Sequence, residues 1–156
     1  MKIFETNEDV KNLIMDKFDQ TGLAQLGINL KIMSVTKAKN VLKASKAGAT
    51  VQYLTNKDVF ITVFEEAFER LNEEMKERLV EGCLSCISYD YEKDKLNVDN
   101  EFANELFRMR HKYENYVDIA ESAQAAIQQI EEEEKQKKEE EKIRKAAEKA
   151  SKKNKG

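Results

Sequence analysis

Apolar residues recur along this chain in two periods, and each period assigns an element. Val10, Leu13, Ile14 and Phe18 follow helical spacing, which predicts an amphipathic helix over residues 6–19 with that side buried. Thr6 reads as its N-cap, Asn7-Glu8-Asp9 places acids where a helix start favours them, and Thr21-Gly22 ends it. The period then shortens to two. Ile28, Leu30 and Ile32 alternate with Asn29, Lys31 and Met33, predicting a strand over 28–35. The lysine-rich residues 36–47 are expected to form a loop or a short helix, ended by Gly48. Residues 50–54 and 59–64 read as two further strands across a turn at Thr55-Asn56-Lys57-Asp58.

Helical spacing returns after the third strand. Phe68 and Leu71 point one side of a short helix over 65–71 inward, and Asn72 before Glu73-Glu74 is the expected N-cap of a longer one. The stripe of that longer helix is Met75, Leu79, Cys83 and Cys86, flanked by Val80 and Ile87. Gly82 lies inside it, at a cost of about 1 kcal/mol against alanine. It marks either the close approach of another backbone or a neutral replacement. Residues 88–91 and 95–98 read as short strands joined by Glu92-Lys93-Asp94, and Phe102, Leu106, Phe107 and Met109 set a further helix on the core.

The last third changes character. Ile119, Ala123, Ile127 and Ile130 form a narrow seam, expected to pack on its own domain, or otherwise to dock a protein partner or a second copy. After Ile130 the seam is lost in blocks of glutamate and lysine. Glu131 with Lys135, Glu133 with Lys137, Glu134 with Lys138 and Glu141 with Lys145 are i,i+4 pairs worth about 0.2–0.5 kcal/mol each to a solvated helix. The pattern as a whole predicts an α+β fold: one domain over 1–130, with a helix at 117–130, then a charged solvated helix and tail over 131–156. Residues 151–156 are expected to be disordered.

Composition narrows the function classes. Proline is absent, charged residues make up 37%, and the net charge is −3. There is no acid between Asp19 and Asp58, while Lys31, Lys37, Lys39, Lys43, Lys46 and Lys57 fall in that interval. Such asymmetry is a candidate contact for an anionic partner such as nucleic acid, although only Tyr53 interleaves the lysines, and a solvated loop and sheet edge is the preferred reading of them. No apolar run suits a signal peptide or a membrane span, and two nearby cysteines are no disulfide framework, so a cytoplasmic protein with no membrane partner is expected. Cys83-Leu84-Ser85-Cys86 is a C-x-x-C without the second pair a structural zinc needs, and it lies near a helix end instead of the start that would activate a thiol. Both cysteines are therefore expected in the core. His111, the sole histidine, falls among Arg108, Arg110 and Lys112 on a helix surface.

Taken in order, the strands, the helix Phe64-Glu65-Glu66-Ala67-Phe68-Glu69-Arg70-Leu71, the segment Leu79-Val80-Glu81-Gly82-Cys83-Leu84-Ser85-Cys86, the hairpin and the closing helix resemble, over residues 28–116, the putative metallopeptidase family of phages and prophages. The resemblance implies a zincin-like core: a small mixed β-sheet packed by helices. The family's H-E-x-x-H places two imidazoles on one side of a helix to bind zinc, with the glutamate activating water. In this chain those three positions fall on Gly82, Cys83 and Cys86. The family's His-Asp pair falls within 96–100, where only Asp99 is acidic, and its terminal Tyr-Gly pair falls within 113–116. The resemblance therefore implies a degenerate member without the metal site, no cofactor and no peptidase activity. The expected role is a non-catalytic protein-binding or structural module working in the host cytoplasm or a virion. The alternatives are a nucleic-acid-associated protein using the lysines of 31–57, and a metal or thiol enzyme using Cys83, Cys86 and His111.

Overall fold

The computed structural model describes residues 1–154. Its sheet has four strands in the order β1-β2-β4-β3: β1 (Ile3–Phe4), β2 (Leu30–Val35), β3 (Leu42–Lys46) and β4 (Val59–Val63). β2 and β4 are parallel, with Ile32 opposite Ile61, while β1 and β3 run antiparallel at the two edges. Leu30, Ile32, Ala44, Val59, Ile61 and Val63 share one side of this sheet and are buried, as period-two alternation requires when one face meets the core.

Helix α1 (Glu8–Gln20) and helix α4 (Glu73–Leu84) supply the opposing layer. Val10, Ile14 and Phe18 of α1 are buried, as the spacing predicted. Its N-cap is Asn7, whose side chain accepts from the Asp9 amide at 2.8 Å. Thr6, expected in that role, is instead buried, its hydroxyl accepting from Ser34 Oγ at 2.9 Å, so it ties the start of α1 to the sheet. Asn72 caps α4 as expected, accepting from the Met75 amide at 2.9 Å.

Two segments between β2 and β4 depart from expectation. The lysine-rich stretch contains strand β3, with Leu42 and Ala44 turned to the core side and Lys43 to solvent. Residues 50–54, expected as a strand, lie in helix α2 (Ala49–Thr55), which buries no side chain. Asn56, at φ 55°, ends α2 in the left-handed conformation that asparagine tolerates. The β-propensity of Val51 and Tyr53 did not decide the element, because that propensity depends on packing within a sheet and these side chains stay exposed.

Helix α3 (Glu65–Phe68) follows β4, and the hairpin of β5 (Ile87–Asp90) with β6 (Lys95–Val98) follows α4. Helix α5 (Phe102–Arg110) then rests on α4 mainly through Met109. Phe102 and Phe107, expected in the core, are 55% and 69% exposed. Helix α6 runs unbroken over Tyr116–Asn154. Its seam of Ile119, Ala123, Ile127 and Ile130 belongs to the main core, so these residues are not a docking surface; they cover α3 and α4. A bidentate pair from Arg70 to Glu133, at 2.7 and 3.0 Å, is the last anchor, after which every described side chain of α6 is exposed. Ser151 to Asn154 continue the helix where disorder was expected, since Ala146, Ala147 and Ala150 carry high helix propensity to that point. The remainder of that expectation, residues 155–156, lies outside the described residues.

Candidate functional site

The region where a zinc centre would be sought lies at the C-terminal half of α4, between the edge strand β3 and helices α5 and α6. Leu79 and Cys83 approach this region from successive turns of α4, while Cys86, expected on the same helix, lies in the turn just past its end at Leu84; all three are buried. Gly82 is buried too, and the first turn of α6 explains why no other residue stands there. A Cβ built on Gly82 would collide with the Tyr116 hydroxyl oxygen and come within 2.6 Å of Cζ and 3.1 Å of Cε2. The expected close approach is real, but it is made by an aromatic side chain instead of a backbone. Tyr116 is fully buried, and its ring takes the space into which any side chain at position 82 would project.

The polar groups here are few. The Cys86 thiol donates weakly to Gly82 O at 3.6 Å and approaches Glu105 Oε1 at 3.9 Å, while Arg108 reaches Cys86 Sγ at 3.6 Å and Ser85 Oγ at 3.3 Å. Burial pushes the Cys86 thiol up to about 11, with the Glu105 carboxyl adding to the shift against the opposing charge of Arg108. Cys83, completely enclosed, is raised well above the usual thiol range, chiefly by burial. Burial also raises the Glu105 carboxyl, with Arg108 opposing. The Tyr116 hydroxyl is raised by burial and then by the neighbouring Glu105; it has no hydrogen-bond partner of good geometry. At ordinary pH both thiols carry their protons, so neither supplies the thiolate that nucleophilic attack uses.

Asp99, the acidic residue left from the His-Asp position, has a structural task. It accepts from the Glu101 amide at 3.0 Å and from Asn104 Nδ2 at 3.0 Å, and Arg108 stands 3.4 Å away. Those contacts hold its carboxyl below the usual range, the Glu101 amide foremost, and fasten the start of α5. His111 lies away from this region, exposed at the end of α5 with its ring edge-on to Phe107 at 5.0 Å. The structure thus brings Cys83 and Cys86 together with Glu105 but leaves His111 out. Among the described residues no three His, Cys, Asp or Glu side chains converge to hold a metal ion. Gly82 offers no donor and no third ligand joins the two thiols among the described residues, so the residues present do not fit zinc.

Glu105 and Tyr116 were not singled out in the sequence as site residues. For Glu105 the signal was its place one turn before Met109 on the buried side of α5. For Tyr116 no local signal existed, because its role is defined by a glycine 34 residues earlier.

Beside this closed centre one wall remains open. Phe64 N donates to Val41 O at 2.8 Å and Ala47 N donates to Asp58 O at 2.9 Å. In an antiparallel ladder that alternation turns the main-chain groups of Leu42 and Ala44 away from β4. They face a cleft of about 190 Å³ whose far side includes Asn100, Phe102 and Glu105 and whose floor is Cys83 and Cys86. Further along, β6 closes the edge, with Lys46 Nζ donating to Leu96 O at 3.0 Å.

The six lysines do not form one patch. Lys37 and Lys39 lie between β2 and β3 at one end of the sheet, whereas Lys46 and Lys57 lie at the other. Lys31 stands 3.4 Å from Glu5, and Lys43 is exposed on the outer side of β3.

The profile of the family described as putative phage metallopeptidase matches residues 2–144. Neither the curated proteins nor the solved structures contain a match. The family match extends beyond residues 28–116 at both ends and takes in α1 and most of α6, which were expected to fall outside it. Their side chains explain this, because Phe18 and Ile119 belong to the same core as the sheet. With its mixed sheet, its packed helices and a match across most of its length, the chain belongs to the putative phage metallopeptidase family.

Proposed function

We propose that this chain is a non-catalytic, phage-type member of its family that works as a protein-binding module. The observation that carries the reading is the Tyr116 ring lodged against Gly82, which fills the place of a first zinc ligand with an aromatic side chain. Protonated Cys83 and Cys86 support the same conclusion, since neither replaces the general-base carboxylate nor the second imidazole. A thiol enzyme is disfavoured on the same ground. The separation of the lysines leaves nothing that favours a nucleic-acid reading over this one.

The free edge of β3 at Leu42 and Ala44 gives the binding reading a physical form. An extended polypeptide adds as a further strand there, with main-chain hydrogen bonds giving affinity and one side chain entering the cleft beside Phe102. Held there without an activated water, it is bound and not cut. For a phage-encoded protein the host cytoplasm is where such a partner would be met.

Unstructured β-casein serves as the probe. Mixed with isotope-labelled protein and zinc, it should shift the amide signals of Leu42 and Ala44 and remain intact on a gel. Casein fragments would overturn the non-catalytic reading. Shifts confined to surfaces away from β3 would overturn the assignment of the binding edge.

A further inference from the structure

Helix α5 shows an apolar stripe that the described residues leave largely uncovered. Ala103, Leu106 and Phe107 recur at the spacing of a buried helix face, and Arg110 completes the same row. Yet the only fully buried residue of α5 is Met109, and Phe107 is 69% exposed. The stripe and Val117 of α6 line a trough of about 710 Å³, rimmed by Arg110, His111 and Glu114. Neither Arg110 nor Glu114 takes part in an ion pair among the described residues.

We infer that this trough is the contact between two copies of the chain. An apolar centre with a charged rim is the anatomy of a specific interface. The rim carries both signs, so a surface related to it by a two-fold axis offers Glu114 to Arg110 and Arg110 to Glu114. A polyanion or an anionic membrane surface fits less well, because Glu114, and Glu121 one turn beyond Val117, would face it. Phe107 is the anchor: an aromatic side chain at the centre, desolvated by the copy opposite. The trough is separate from the β3 cleft, so the inference stands whether or not that cleft binds peptide.

Sedimentation equilibrium of the full chain from micromolar to near-millimolar concentration tests it. The expected result is a monomer–dimer equilibrium. Phe107→Asp should weaken it by about thirtyfold or more, the scale of a central interface residue. Because Phe107 is exposed, its variant should keep the helical spectrum and melting temperature of the parent under monomeric conditions. Arg110→Glu and Glu114→Arg should each weaken the dimer, and the two together should restore much of the loss. A chain that stays monomeric throughout overturns the inference, as does a dimer left undiminished by Phe107→Asp. A double exchange no better than either single one overturns the two-fold pairing of Arg110 with Glu114.

Discussion

Gly82 and Tyr116 act as a single packing unit across 34 residues of sequence. An isolated helix gains about 1 kcal/mol when an interior glycine becomes alanine, but here the added carbon meets the Tyr116 ring. Gly82→Ala should therefore destabilise the protein by about 1–3 kcal/mol, the cost of overpacking a tight core. In a Tyr116→Ala background the same change should be neutral or stabilising. Urea denaturation of the four proteins measures the coupling, and equal effects in both backgrounds would remove Tyr116 from the account. Glu105 gives a second residue-level expectation. Burial raises its carboxyl above the ordinary 4.5, so between that value and its folded-state pKa the native protein binds more protons than the unfolded chain. Its contribution to stability is therefore present at low pH and is lost as pH rises through that window. Glu105→Gln should melt higher than the parent at neutral pH, and the gap should close on acidification. A gap that widens toward acid would show that Glu105 is stabilised as a carboxylate. Both residues were hard to read in the sequence for the same reason: their surroundings are assembled from α4, α5 and α6 together.

At the scale of elements, what could be read depended on whether a side-chain pattern was answered within the domain. α1, α4, β2 and β4 carry regular stripes that meet the core and stand where periodicity put them, except that α4 ends at Leu84 and leaves Cys86 and Ile87, expected on its stripe, to the turn and strand that follow. β3 was hidden because its signal is only Leu42 and Ala44 between lysines, and α2 was misread because β-branched and aromatic residues sit on a helix with nothing to pack against. α5 shows the reverse case. Its stripe is regular, but Met109 on the other side is what meets α4, leaving Phe102 and Phe107 outside. α6 divides at Arg70 and Glu133. A chain ending after Glu134 should melt within a degree or two of the full chain, because the residues removed are exposed. One ending at Val117 should melt far lower or aggregate, since Ile119, Ile127 and Ile130 leave the core. Equal melting of all three, followed by circular dichroism, would mean that the seam does not hold the domain together.

For the whole molecule, one core joins the four-stranded sheet to α1, α3, α4 and the first four turns of α6, which is why the family match runs through nearly all of it. The family and the α+β class were legible from the order of elements and from the degenerate segment at 79–86. That the centre is physically filled was not, because a missing histidine does not reveal what occupies its place. No helix among the described residues is long and apolar enough to cross a membrane. The central claim is that this scaffold has no functional metal centre, and it is tested most directly by the zinc content of the purified full chain after incubation with zinc and exhaustive dialysis. The account predicts far less than one zinc per chain. One tightly held zinc per chain, lost on Cys83→Ala or Cys86→Ser, would contradict it.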